Sequence, residues 1–422
     1  MLECVNECPT ESLVESLVEQ KVMTRAPKIE GRPVWAEVRL SALEHNLRAI
    51  RAHLDAGRAA EGKSAQRIKI LAVVKGNAYG HGAVAVAKSL ARAGADSFCV
   101  TCSAEGIELR ESGIKQPILL LTGFWPGEEK RIIEHRLTPA VTDCSQLKLL
   151  ECAASRAARK LRGPLEFHWK VDSGMNRLGA SPASVECFAR ALADCRHLRH
   201  AGTFTHFASS EVFTTTETPD QTRVFLAAVA HMRQLGLDPG IVHMANSAAI
   251  ISRPETWGDA VRPGAILYGY HQNYDPPERT AIAHQKVSLD PAMSFRARII
   301  SVRDVPAGAG VGYNAKFHAP RPSRIGILAA GYADGIPREM GNRGKVIVRS
   351  EFAPVIGSVS MDLTAVDLTA IPRAQVGDVA TIYGTDGGTS QRAFDVARQI
   401  GMVTAQVLVG LGWRVPRIYE RR

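Results

Sequence analysis

The strongest constraint on the fold of this chain is an alternation that runs from Ile68 to Gly269. Short β-rich apolar runs occur at Ile68 to Lys75, Ser97 to Thr101, Ile118 to Thr122, Thr138 to Thr142, Leu165 to Val171, His200 to His206, Ile241 to Ala245 and Ala265 to Gly269. Between them lie Ala-, Leu- and Arg-rich segments of helical length, such as Gly82 to Ala93 and Ser145 to Leu161. Eight strands separated by helices over roughly 200 residues form the pattern of a (β/α)8 barrel, with an open doubly wound sheet as the alternative. Several runs are almost continuously apolar, as parallel strands covered on both faces should be. Near Gln285 the helical segments stop, and short strands punctuated by Gly, Pro and Asp take over. The clearest are Ala297 to Val302, Arg324 to Ala330, Lys345 to Arg349, Ala353 to Ile356 and Val379 to Tyr383.

The expected fold class is therefore α/β: a TIM barrel over 34–284, followed by a C-terminal mainly-β domain over 285–422. A first strand at 34–40 is free to pack with that second domain. A capping box of Ser41 and Glu44 opens a helical pattern through Leu43, Leu47, Ile50 and Leu54. Residues 1–33 are expected to be a flexible extension, with a short amphipathic helix over Ser12 to Val22 as the alternative. They show no basic region leading into an apolar one, so no secretory signal is read and a cytoplasmic location is expected.

With 45% hydrophobic and 22% charged residues, the 422-residue chain has the composition of a globular protein, and no apolar run reaches the ~20 residues needed to cross a bilayer. The net charge of +10 raises the question of nucleic acid, but the basic residues are scattered and no block of five like charges occurs, so neither nucleic-acid nor membrane partners are expected. Cys99 and Cys102 have CxxC spacing without a second pair or a histidine pair at zinc-site distance; they read as reduced thiols, and no metal is expected.

Only 14 of the 52 basic residues are lysines, and one of them, Lys75, ends the first apolar strand at the rim where such barrels carry their chemistry. Loss of hydration there favours the neutral amine that attacks an aldehyde, although a strand-end lysine can also snorkel to solvent or pair with an acid. Gly76, Gly80 and Gly82 report a tight turn with close backbone approach. Lys170, Asp172 and Arg177 gather after the fifth strand, where an arginine suits a carboxylate or forms a rim ion pair. His206 ends the sixth strand, where a core histidine is the default. Asn246 or Ser247 can cap a helix after the seventh, and Val261-Arg262-Pro263-Gly264-Ala265 follows at the eighth, in the loops that most often bind phosphate. A strand-one lysine with a phosphate cradle at strands seven and eight points to a phosphorylated aldehyde, pyridoxal phosphate.

The stretch from Ala72 through Lys75 and Tyr79 to Gly82 resembles the cofactor-attachment motif of alanine racemases. Further matching segments follow in family order: Lys170 to Gly179, Thr205 to Phe207, His243 to Ala248, Val261 to Gly264, Val311 to Tyr313, Gly331 to Gly335, Ser360 to Asp362 and Arg414 to Arg417. The resemblance covers about Pro33 to the C-terminus. It implies a homodimeric enzyme, dependent on pyridoxal 5'-phosphate, that interconverts L- and D-alanine for cell-wall synthesis or alanine catabolism. Lys75 and Tyr313 of the partner subunit would be the two opposed bases, with Arg177 and His206 also catalytic. Lys75, Tyr79, His206, Ser247, Arg262, Gly264, Ala265 and Tyr332 would form the cofactor site. Arg177 and the backbone of Met361 would receive the substrate carboxylate, with Asp362 beside them from the partner subunit, and Lys170 would be carbamylated. One departure stands out. Nine positions before Arg414, relatives usually carry a tyrosine on the cofactor phosphate, whereas this chain has Ala405. A racemase of broader range, a decarboxylase of related architecture and a non-catalytic cofactor-binding protein are the competing readings.

Overall fold

The computed structural model describes residues 31–62, 67–159 and 163–420. Residues 1–30, most of the expected extension and all of its alternative helix, lie outside the described residues. Strand β1 (Val34–Arg39) leads into the helix Leu40–Ala60. Eight parallel strands follow: β2 (Lys69–Val73), β3 (Ser97–Val100), β4 (Ile118–Leu120), β5 (Thr138–Val141), β6 (Leu165–Lys170), β7 (Leu198–Phe204), β8 (Ile241–His243) and β9 (Ala260–Val261). They close into a barrel in chain order, with Lys69 and Ile70 of β2 in register with Ala260 and Val261 of β9.

Side-chain alternation along the strands separates two environments. On β6, Phe167 and Trp169 are fully buried against the helix Val185–Ala193, where Trp169 stacks on Phe188 at 4.1 Å between ring centroids. His168 and Lys170 take the opposite face, toward the barrel interior. One side of that interior is small and apolar, built from Leu71, Val73, Cys99, Leu119 and Ala260. The other side holds Phe204 and His243 with Arg262, a division that sets up the site described below.

Two expectations need correction. The eighth strand is Ala260–Val261, and Ala265–Tyr268 is instead a 3-10 turn ended by Gly269 at φ +92°. Pro263 cannot donate to a ladder, so the chain leaves the barrel before the apolar run begins. Ser41 is not the N-cap that a capping box needs, because the helix already starts at Leu40 with Arg39 before it. Glu44 instead accepts from Ser89 Oγ at 2.6 Å, joining that helix to its neighbour Ala83–Arg92.

After the helix Glu278–Lys286, strand β10 (Met293–Val305) begins a mainly-β region that continues through β11 (Gly310–Val311), β12 (Phe317–His318), β13 (Ser323–Leu328), β14 (Lys345–Val348), β15 (Glu351–Ile356), β16 (Thr364–Asp367), β17 (Val379–Asp386), β18 (Thr389–Gln391) and β19 (Arg417–Glu420). The larger sheet has the order β18-β17-β14-β15-β16-β13-β10-β1-β19. The strand before the barrel is thus sewn into the sheet after it, antiparallel to β10 and parallel to β19. Asn46 adds a polar tie: its side chain donates to Leu267 O and Asp290 O, both at 2.9 Å, and accepts from Asp290 N at 2.8 Å.

Candidate active site

The C-terminal ends of the barrel strands gather most of the expected site. Lys75 stands two residues beyond β2 and opens a turn of unusual hand: Gly76, Asn77, Ala78 and Tyr79 have φ between +51° and +62°. Left-handed backbone costs a non-glycine residue about 1–2 kcal/mol, so this turn persists only because its surroundings hold it. Asn77 Oδ1 accepts from Ala83 N at 2.7 Å, His81 Nδ1 lies 2.9 Å from Tyr79 O, and Arg417 Nε donates to Gly80 O at 3.1 Å. The expected tight turn is present, and its cause is a network drawn from both halves of the chain.

Glu105 fastens the neighbouring rim. Its two oxygens accept from Gly76 N at 2.6 Å and from Thr101 N at 2.7 Å. Burial, and then the nearby Arg177, lower the pKa of the Lys75 ammonium, partly opposed by Glu105. Lys170 is buried, donates to Leu121 O at 3.1 Å, and is lowered to about 8 by burial and then by Arg262, Arg177 and Lys75. Lys170, Asp172, Arg177, Thr205 and His206 line one cavity. The Arg177 guanidinium has no hydrogen bond or ion pair among the described residues, so it is available to an anion.

Arg262 is 3% exposed and has no carboxylate partner among the described residues. Its charge is met by neutral acceptors: Nη1 donates to His243 Nδ1 at 2.6 Å and His243 O at 3.0 Å, and Nη2 to Thr205 O at 2.6 Å and Met244 O at 2.8 Å. Its Nε–H makes no hydrogen bond among the described residues. Burial lowers Arg262 to about 10, so it stays protonated at neutral pH, while His206, 3.5 Å from Nη2, is held neutral with its pKa lowered to about 3 by burial and by Arg262.

Beyond Arg262 lies a polar cradle. Asn246 caps the helix Ser247–Ser252 by accepting from Ala249 N at 3.1 Å, and Gly264 N donates to Ser247 Oγ at 2.9 Å. A β-carbon at position 264 would sit 2.7 Å from Tyr79 Oη and 3.7 Å from Ser247 Oγ, so glycine keeps that space open. Tyr79 stacks on Tyr268 at 4.7 Å, and Tyr268 Oη donates to Val73 O at 2.9 Å. Ala265 begins the adjoining 3-10 turn.

The remaining expected residues belong to the β region. Tyr313 is 72% exposed and Met361 52% exposed. Tyr332 is half-exposed beneath the Arg338 guanidinium, 5.7 Å from its ring centroid. Asp362 accepts from Arg414 Nη2 at 2.6 Å, and the same guanidinium binds buried Asp334 at 2.7 and 3.1 Å. Cys99 is fully buried, with burial pushing its thiol up to about 12, whereas Cys102 is exposed. Glu105, Tyr268 and His168 were not singled out by the sequence. Only the parity of His168 with Lys170 on one strand hinted that it faces inward.

Fold and site together define a parallel barrel with a lysine of lowered pKa, an arginine with no ion pair among the described residues and a polar cradle at one mouth, the arrangement of a barrel enzyme. Residues 38–272 match the family model for the alanine racemase N-terminal domain, and residues 292–419 that for the C-terminal domain. The chain belongs to the alanine racemase family. An alanine racemase of Geobacter sulfurreducens is 36% identical over 395 residues, which span 93% of this chain and 98% of the relative. The solved alanine racemase of Clostridium difficile 630 matches with a TM-score of 0.82 at 31% identity, covering 94% of this chain and 97% of its own. The biosynthetic alanine racemase of Pseudomonas aeruginosa matches with a TM-score of 0.77 at 35% identity, covering 92% and 100%.

Proposed function

We propose that this protein interconverts L-alanine and D-alanine using pyridoxal 5'-phosphate at the barrel mouth, in a homodimer whose barrel (34–284) is completed by the β domain (285–422) of a partner. The single observation that carries the reading is Lys75, a lysine of lowered pKa at the end of the first barrel strand, set among groups suited to each part of that cofactor. Ser247, Tyr79 and the backbone of Gly264 and Ala265 suit a phosphate. The Arg262 Nε–H suits the ring nitrogen, with His206 beside it, and Tyr332 would line the approach. When bound, the cofactor draws electrons from Cα of an attached amino acid and makes its hydrogen acidic.

The chain's own groups then supply selectivity and proton transfer. Arg177 and the Met361 backbone of the partner subunit receive the carboxylate, with Asp362 of the partner subunit beside them. Lys75 Nζ exchanges a proton on one face of Cα and Tyr313 Oη of the partner subunit on the other; two opposed bases invert a stereocentre directly. The exposure of Tyr313 and Met361 supports their serving a second chain. Arg262 donates and does not give up its proton, so it would hold a cofactor ring nitrogen without protonating it, which would disfavour side reactions such as transamination. With its pKa lowered to about 8, Lys170 has a larger neutral fraction than an exposed lysine, and that neutral amine can add carbon dioxide and lose one proton, leaving a carboxylate in the cavity shared with Arg177; a labile carbamate resonance in ¹³CO₂, absent from Lys170→Gln, is expected.

The decisive experiment incubates the protein and added cofactor with L-alanine in deuterated water, with chiral analysis of the product. Deuterium at Cα accompanied by D-alanine is expected. Bound cofactor without exchange would leave a binding protein.

A further inference from the structure

Inside the barrel, two histidines stand in line behind Arg262. His243 on β8 receives Arg262 Nη1 on its Nδ1 at 2.6 Å, and its Nε2 lies 2.9 Å from Nδ1 of His168 on β6. His243 is fully buried and His168 is 6% exposed. Phe204, on the strand between them, lies flat on the His243 ring, with centroids 4.8 Å apart and planes within 8°, and meets His168 edge-on.

Donor chemistry alone sets the direction of this chain. A guanidinium has no acceptor, so His243 Nδ1 must accept, and the single proton of its neutral ring sits on Nε2. That proton is donated to His168 Nδ1, which places the His168 proton on its own Nε2. Protonation of either ring would set donor against donor, and burial pushes both the same way: His168 is lowered to about 3 and His243 well below its ordinary value. The neighbouring strand keeps a place for the outer ring. A β-carbon at Gly202 would lie 2.7 Å from His168 Cε1 and 2.8 Å from Nδ1.

We propose that His168 is a positioning residue: by accepting from His243 it fixes that ring's tautomer, which with three carbonyls holds both terminal nitrogens of Arg262 and reserves its Nε–H for the cofactor's ring nitrogen. The proposal rests on the cofactor reading above. Without an acceptor at 168, the His243 proton has no partner, and the alternative tautomer would aim an N–H at Arg262. A buried donor left unmatched costs more than the bond it replaces, so the disturbance passes inward to the guanidinium.

The test begins with ¹⁵N-histidine spectra of the native protein at neutral pH, with and without cofactor. Both rings are expected to be neutral with N–H at Nε2; an Nδ1–H on either overturns the proposal. Holoenzymes of His168→Leu and His168→Asn, loaded with cofactor labelled with ¹⁵N at the ring nitrogen, form the second arm. The leucine variant should move that resonance and weaken cofactor binding roughly tenfold, the scale of one hydrogen bond lost. The asparagine variant, whose Oδ1 can accept as Nδ1 does, should keep the native resonance. No shift in the leucine variant, or equal shifts in both, overturns the proposal; if the leucine variant does not fold, the native tautomers and the asparagine resonance decide it. A native protein that binds no cofactor overturns the functional reading instead, while the tautomers of the cofactor-free protein still judge the hydrogen-bond chain.

Discussion

At the scale of single residues, the site is a set of cations kept short of acids. Lys170 shows the energetic consequence. Its folded pKa of about 8 lies below the ~10.4 of an exposed lysine, so between those values the unfolded chain binds a proton that the folded chain does not. The unfolded state then carries more protons, and stability rises with pH across that window, by at most about 1.4 kcal/mol per unit. Urea unfolding of cofactor-free, carbon-dioxide-free protein at pH 8, 9 and 10 should show this rise, and Lys170→Met should lose it; parallel curves would mean the amine is not held low. Ala405 makes a second prediction. Its helix, Thr404–Val409, lies against the lysine turn: a β-carbon on Gly76 would meet Val409 Cγ1 at 3.5 Å. The family's tyrosine at this position would reach the cofactor phosphate, and a hydrogen bond to a charged group contributes about 1.5–3 kcal/mol. Ala405→Tyr should therefore tighten cofactor binding roughly 10- to 150-fold in a titration of the dialysed protein. Equal affinity would mean that water or another side chain already fills the role.

At the scale of elements, the left-handed turn after β2 is one place where the two halves of the chain meet, and glycine is the reason they can meet there. Gly80 has φ +81°, and a β-carbon there would lie 2.2 Å from Leu408 O. Gly80→Ala should cost at least about 2 kcal/mol, read as a fall in unfolding midpoint together with weaker cofactor retention. Gly113→Ala is the control: its φ is +96°, but nothing lies within 4 Å, so only the backbone penalty of about 1–2 kcal/mol applies and cofactor binding should not change. This turn also marks the limit of what the sequence made legible. Gly76, Gly80 and Gly82 announced a tight turn, but Asn77, Ala78 and Tyr79 carry no local signal for left-handed backbone, since distant Arg417 and the helix start at Ala83 impose it. Seven barrel strands were readable because both faces are buried and the runs are long enough to show it. The eighth was misplaced because only Ala260 and Val261 pair, while the more apolar run after Gly264 packs as a turn. Lys75 stood out as a charge ending an apolar strand, and Arg177 and Arg262 by their places in the loops after strands, whereas His168 and Glu105 act through partners on other elements that no local pattern names.

At the scale of the whole molecule, the excess of arginine finds some of its use at the barrel mouth, where Lys75, Lys170, Arg177 and Arg262 create a cationic well suited to a phosphate and a carboxylate. The two faces of the proposed reaction do not both belong to this mouth, because Tyr313 lies on the far part of the chain and stays 72% exposed. A shared site in a two-fold dimer makes a quantitative demand. Lys75→Ala and Tyr313→Ala should each be inactive. Unfolded together and refolded as an equal mixture, they should yield half heterodimers, each with one site that has lost both groups and one that keeps both. Activity should then return to roughly a quarter of the native value, the product of one half for assembly and one half for sites in an isologous dimer. Sedimentation of the mixture should show dimers, and dilution below their dissociation constant should lower the recovered activity more steeply than protein concentration alone. If each chain carried its own complete site, the mixture would remain as inactive as its components.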